Sequence, residues 1–385
     1  MTLTRLLLPL GLTATLLAGC AGSVEPQYPP KGLQDFTPGV ELDARWDQDI
    51  GDGLGRAHYP LTPIVDGGML YAVDENGDLT AIDTDSGDTA WEVELGTPIS
   101  SGIGADAGRL YIGTRNGEVL AVDREDGSID WRSRVSSEVL SAPQVNSQLV
   151  VVQSVDGAVT ALNRLDGSEQ WVYSSSQPAL TLRGTGSPRV IEPVSFAGFA
   201  NGRLVTLDNR SGQPLWDMRV AVPQGRTEVD QLVDLDGQPV LTQDGRLFVT
   251  SYNGRLLALE ATSGEVIWER EESSYLTPLV VGNYLFTVND ASHVIAIEAD
   301  TGRVMWDADT LEGRWLTSPA FVDGNIAVGD YEGYVHLLDA ASGEMNGRVR
   351  VDSSGLTLPL LTGDRRLYAL ANDGTLVAYD LQNAE

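Results

Sequence analysis

A unit of about 40 residues recurs eight times along this chain, and that repeat constrains the fold more than any other feature. Each copy holds a small residue and Pro, a short apolar stretch, Leu-Tyr or a relative, an Asn-Gly-type pair, an alternating run, then Ser/Thr-Gly and Trp. The turn pairs and the ends of the runs are Asn76-Gly77 to Asp83, Asn116-Gly117 to Asp123, Asp156-Gly157 to Asn163, and Asn201-Gly202 to Asp208. The later four are Asn253-Gly254 to Glu260, Ala291-Ser292 to Glu298, Glu332-Gly333 to Asp339, and Asp373-Gly374 to Asp380. In all eight the second turn residue and the acidic or amide residue stand six apart, and only the sixth copy lacks the glycine.

The spacing has a physical cause. Asn-Gly and Asp-Gly supply the positive φ angles of a tight hairpin, and the run after them alternates, as in Leu79 and Ala81 against Asp78 and Thr80. The Asp then opens a second turn closed by Ser/Thr-Gly or Asp-Gly. Trp falls four residues beyond that glycine at Trp91, Trp131, Trp171, Trp216, Trp268 and Trp306, whereas the seventh copy has Gly347 there. A tryptophan at a fixed repeat position is expected to pack between neighbouring sheets. Four short strands in each of eight such units predict an all-β fold, an eight-bladed β-propeller. The eighth copy ends near Asp380 without its own Trp strand, while Ala44-Arg45-Trp46-Asp47 is such a strand without a blade. The two ends are therefore expected to complete one blade together, leaving no open seam.

Charge and cysteine usage narrow the function. A net charge of −30 repels phosphate backbones and anionic headgroups, which argues against nucleic acid and leaves proteins as the expected partners. Lys31 is the sole lysine. Cys20 is the sole cysteine, so neither an intramolecular disulfide nor a cysteine-based zinc site can form. It follows Arg5 and an apolar run from Leu6 to Leu17 that is too short to span a bilayer.

Leu17-Ala18-Gly19-Cys20 resembles the lipobox of bacterial lipoproteins. That resemblance implies a signal peptide over 1–19, acylation at Cys20 and, with Ala21 in place of Asp, sorting to the outer membrane, facing the periplasm. Residues 20–39, rich in Pro, Gly and polar side chains, read as a lipidated tether, and 40–385 as the propeller.

The pattern from Ala81-Ile82-Asp83 through Ser86-Gly87 to Trp91 resembles the repeat of pyrroloquinoline-quinone dehydrogenases. Those enzymes are longer, hold calcium over the quinone, and usually carry an adjacent disulfide-bonded cysteine pair that a chain with one cysteine cannot form. Repeat and lipobox together resemble the BamB family, propeller lipoproteins of the outer-membrane β-barrel assembly machinery. The resemblance implies a non-enzymatic scaffold that binds the periplasmic POTRA domains of the barrel protein BamA and assists outer-membrane protein folding and insertion. Unfolded outer-membrane proteins pairing along strand edges are a second partner class on this reading.

Two segments resemble the family's partner-binding motifs: Leu180-Thr181-Leu182-Arg183-Gly184 and Glu228-Val229-Asp230-Gln231-Leu232-Val233-Asp234-Leu235-Asp236. Both fall in long connections. The distance from Trp to the Pro opening the next unit is 17 residues from Trp171 to Pro188 and 23 from Trp216 to Pro239, against 7 to 13 in most units. Trp46 to Pro63 is also 17, so length alone does not select the site. Leu180, Leu182, Arg183, Asp234 and Asp236 are the expected partner-binding residues.

No catalytic residue, metal ligand or cofactor is expected. Two rivals stay open. One is a periplasmic quinoprotein-like enzyme with a channel-lining site, although His58, His293 and His336 stand far apart in sequence. The other is a polysaccharide-binding propeller that stacks sugars on Tyr275 or Trp315.

Overall fold

A computed structural model describes residues 26–384 apart from 179, 182–185, 225, 228–230 and 364. Eight four-stranded antiparallel sheets follow one another in a ring. Blades 1 to 7 are residues 64–94, 99–134, 144–174, 189–219, 240–271, 279–308 and 320–350, each running in sequence order from an inner to an outer strand. Blade 8 takes its three inner strands from 361–383 and its outer strand from Val40–Asp49. The outer strand pairs from Val40 against Asn383 to Asp49 against Thr375, with a bulge between Ala44 and Trp46. The shared closing blade expected from the two chain ends is present.

The expected alternation is lost on the third strands and kept on outer strands such as that of blade 1. Asp78–Asp83, the third strand of blade 1, is buried at four consecutive positions, Leu79 to Ile82, whereas the outer strand Thr89–Glu94 alternates. The middle strands of each blade are sandwiched between two neighbouring sheets, so both of their faces lose water, and only the rim keeps a solvent side.

Tryptophan is the peg between blades. Trp46 donates its indole N–H to the Thr84 carbonyl of blade 1 at 3.0 Å, and Trp91, Trp131, Trp171, Trp216, Trp268 and Trp306 repeat the bond into their next blades at 2.7 to 3.2 Å. The indole lies over the turn glycine: a Cβ on Gly87, whose φ is +78°, would stand 2.5 Å from Trp46. Each turn thus needs glycine for its backbone and for the ring above it. An aromatic on the second strand tilts against the same indole, as Tyr71 does with Trp91 at 5.9 Å and Tyr368 with Trp46 at 5.8 Å.

Gly347 departs from the pattern because blade 7 faces the chain ends rather than a turn. Val40 begins there, with Gly39 N–H donating to the Asn346 carbonyl and Ala384 N–H to that of Gly39. A Cβ at 347 would meet the Val40 carbonyl oxygen at 2.8 Å. The sixth turn, which lacks the glycine, places Ser292 itself at φ +68°.

The ring has two unlike faces. The Asn-Gly-type turns and the connections from outer to next inner strand lie together on one, joined by bonds such as Leu95 N–H to the Gly77 carbonyl. The Asp-x-x-Ser-Gly turns and the hairpins between the first two strands lie on the other, joined by bonds such as Thr84 N–H to the Gly68 carbonyl. The first face, here the connection face, carries both long connections.

Residues 26–39 contain neither helix nor strand, yet from Tyr28 onward they lie against blades 6 and 7. Among the described residues no helix is long and apolar enough to cross a membrane. Cys20 and residues 1–19, the expected signal segment, lie outside the described residues.

Candidate partner-binding site

Both long connections are held by the hairpin turns beside them. In the first, Asn201 of the blade 4 turn donates its side-chain amide to Ser175 Oγ at 3.0 Å and to the Ser176 carbonyl at 2.9 Å. In the second, Asn253 of the blade 5 turn donates to the Leu232 carbonyl at 2.8 Å. The asparagines that suit the turns therefore also anchor the loops. Beyond these pins the first connection presents Leu180 to solvent, 43% exposed.

The two connections meet. Leu180 and Pro178 from the first and Leu232 and Val233 from the second line one cleft of about 670 Å³, with Arg203 and Arg219 among its polar groups. Arg203 pairs with Asp217 on the outer strand of blade 4. The opening thus combines apolar walls with a basic edge on a strongly acidic protein. Such an opening can take an apolar side chain and pair an acidic group beside it.

Asp234 and Asp236 lie beneath this surface rather than on it. Asp234 is 1% exposed, its Oδ1 accepts the Leu235 N–H at 2.9 Å, and its carbonyl accepts the Tyr252 N–H at 2.8 Å. Leu235 between them is fully buried, with its carbonyl 2.4 Å from where a Cβ on Gly186 would stand. Asp236 reaches the wall of a second cavity, of about 970 Å³, along the ring axis, where Tyr252, Tyr275 and Gln238 are neighbours. Burial, and then the Asp234 carboxylate beside it, push the Asp236 carboxyl well above the usual carboxylate range. Asp236 thus favours its protonated form, and the bonds of Asp234 stitch the second connection down. Leu182 and Arg183, like Glu228, Val229 and Asp230, lie outside the described residues.

The histidines are not brought together. His58 is exposed at the axial cavity with φ +47°, His293 lies between Asp307 and Glu312, and His336 is fully buried. Among the described residues no group of three or more His, Cys, Asp or Glu side chains is placed to hold a metal ion. Tyr275 and Trp315 are exposed on separate connections; Trp315 has φ +48° and leans on Tyr331 at 5.6 Å.

Sequence reasoning missed the basic edge, since Arg203 and Arg219 sit on ordinary strand positions. It also missed a buried polar cluster in blade 7, where Asp330 binds both Arg314 Nε at 2.7 Å and His336 Nε2 at 2.8 Å. A signal was available. His336 occupies the position that other copies fill with Thr80, Leu120, Thr160, Val205, Leu257, Ile295 and Val377.

A family model described as outer membrane protein assembly factor BamB matches residues 43–98, 75–308 and 291–385. The protein of that name from Pseudomonas aeruginosa is 47% identical over 370 residues, covering 96% of this chain and 97% of its own length. The chain belongs to the BamB family. The Escherichia coli BamB is 34% identical over 392 residues, covering 98% of this chain and 99% of that protein. The crystal structure of BamB from Moraxella catarrhalis superposes with a TM-score of 0.81 at 27% identity, over 88% of this chain and 99% of that one. The quinohemoprotein alcohol dehydrogenase of Comamonas testosteroni, at 13% identity and a TM-score of 0.67 over 91% of this chain and 78% of that one, shares the fold alone. These relatives bear the name of outer membrane protein assembly factors.

Proposed function

We propose that this chain is the scaffold subunit of the outer-membrane β-barrel assembly complex that binds the POTRA domains of BamA, held to the periplasmic face of the outer membrane by acyl chains on Cys20. The observation that carries the reading is the meeting of the two long connections around one cleft. Loops from adjacent blades, pinned by Asn201 and Asn253, present Leu180 above apolar walls with a basic edge. Leu182 and Arg183 continue the first loop as an apolar and a cationic contact for the partner.

Asp234 and Asp236 serve the same site from below. The Asp234 bonds to the Leu235 and Tyr252 N–H groups hold the second connection at the height where Leu232 and Val233 line the cleft. A scaffold of this kind works by positioning: it holds the barrel-assembly protein, and through it the unfolded outer-membrane clients, in a productive arrangement. No covalent step is required of its residues.

Interface energy is concentrated in a few anchors worth about 2 kcal/mol or more each, roughly a 30-fold change in affinity. Leu182→Ala and Arg183→Ala should each weaken capture of BamA from detergent-solubilised membranes by about that factor while leaving the fold intact. Undiminished capture by folded variants at both positions would refute the site.

A further inference from the structure

The N-terminal segment does not leave the propeller where its first strand begins. From Val40 it runs back along the outer strand of blade 7, Met345–Arg350, to the connection face between blades 6 and 7. Contacts from both blades fix this path. Arg348 donates to the Gln34 carbonyl at 3.1 Å and lies over the Phe36 ring at 5.0 Å, and Leu33 packs on the blade 6–7 core. Arg314 donates to the Lys31 carbonyl at 3.2 Å. Lys31 Nζ reaches Asp309 at 2.8 Å and Glu312 at 3.2 Å, while its N–H donates to the Glu312 carbonyl. Gly313 packs against the backbone of Tyr28 and Pro29, where a Cβ would stand 2.6 Å from the Tyr28 oxygen.

The two arginines that grip the segment's backbone are set in place from inside the blade. Asp330 and His336, both fully buried, form the link: Asp330 Oδ2 accepts from Arg314 and from His336 Nε2, and Arg348 Nε donates to His336 Nδ1 at 3.2 Å. A ring nitrogen that accepts from an arginine carries no proton, so His336 is the neutral tautomer with its hydrogen on Nε2. Burial, the largest influence, favours the same neutral form. A buried Asp–His pair, at a position that other copies fill with Thr or aliphatic residues, is costly unless it is hydrogen-bonded, and here its bonds run to the two cations that reach the strap.

We propose that residues 28–36 are a docked strap that sets where the lipid anchor leaves the propeller, so that the connection face, with the candidate partner-binding cleft, is the face turned toward the bilayer. The proposal rests on acylation of Cys20. Tyr28 stands eight positions beyond Cys20, a reach of at most ~29 Å when fully extended. With the strap released, the twenty residues from Cys20 to Val40 would reach ~70 Å and allow either face to meet the membrane. Docking thus more than halves the leash and places its origin on the rim of one face. Trp315, exposed beside that exit, adds an aromatic side chain suited to the bilayer interface.

The test uses the full acylated protein on phosphatidylcholine vesicles containing an energy-acceptor lipid. A donor dye is attached at Ser353→Cys on the connection face or at Ala341→Cys on the opposite turn of blade 7, both exposed positions. Transfer should be clearly stronger from position 353. Combining Lys31→Glu, Leu33→Ser and Phe36→Ala, all on the strap rather than the propeller, should lower transfer from 353 by about twofold or more and erase the difference between the positions, as the longer leash dictates. Equal transfer from the two positions in the native strap, or no response to the triple substitution, would overturn the proposal. Failure of the protein to sediment with vesicles at all would instead remove the lipid anchor, and this proposal with it.

Discussion

Replacing Trp46 by alanine tests the closure of the ring at the seam made by two distant parts of the chain. Trp46 is 9% exposed, pairs with Ala378 across the seam, leans on Tyr368 at 5.8 Å and covers Gly87 of blade 1. Truncating so large a buried side chain costs about 3–5 kcal/mol in transfer and cavity terms. The lost indole bond adds little, because the Thr84 carbonyl keeps a second donor, Arg366 Nη1 at 2.9 Å, and is not left orphaned. Unfolding entropy of about 2.1 cal/mol/K per residue over the roughly 340 residues of the ring is ~0.7 kcal/mol/K, so the melting temperature should fall by about 4–7 °C. Scanning calorimetry near neutral pH reads this directly. A midpoint within about 1 °C of the parent would refute the claim that this residue locks the two ends together.

Gly347→Trp restores the repeat pattern yet should destabilise by about 1–3 kcal/mol, since the new side chain collides with the Val40 carbonyl and Leu337; a higher melting temperature would show that the chain ends yield to it. Asp236→Asn should raise the melting temperature at neutral pH. The folded protein raises the Asp236 carboxyl above its unfolded value, so the stability this group contributes is present below about pH 4 and is lost as pH rises through the folded value. The variant's advantage should therefore shrink as pH falls toward about 4, and a pH-independent difference in thermal scans would contradict the raised Asp236 carboxyl. Cys20→Ser should abolish incorporation of labelled fatty acid and release the protein from outer-membrane fractions, whereas normal fractionation would argue against the anchor.

The repeat made the architecture legible because each blade is one supersecondary unit whose turns demand particular residues. Asn-Gly marks a hairpin, Asp-x-x-Ser-Gly a second turn, and Trp its lid, so eight copies and a split blade could be counted from Trp46 to Asp380. Burial was less legible. Thr80 reads as a solvent-side residue in a two-faced strand but is covered, because stacking of blades in the ring buries both faces of the middle strands. The two connections could be found by length and resemblance, but not their depth. Asp234 and Asp236 look like surface charges in a loop, yet Asp234 is buried and Asp236 half-buried because Leu235 between them is drawn into the core under Gly186 and Gly198. The docking of 28–36 was hidden for a similar reason. Its partners, Asp309, Glu312, Arg314 and Arg348, lie 278 to 314 residues away in sequence, and a Pro- and Gly-rich stretch carries no periodicity to announce a binding partner.

The central claim is that the face bearing the two long connections binds the barrel-assembly protein. Its most direct test is titration of purified BamA POTRA domains against the purified propeller, wild-type and with Leu180, Leu182, Arg183, Asp234 and Asp236 all replaced by Ala, in parallel with Trp315→Ala and an exposed opposite-face control, Glu125→Ala. Saturable one-to-one binding is predicted for the parent and the control, with a loss of at least about 30-fold, the worth of a single anchor, in the five-site variant that still melts cooperatively. Wild-type affinity in that variant, or a loss produced equally by Glu125→Ala, would contradict the assignment of this face.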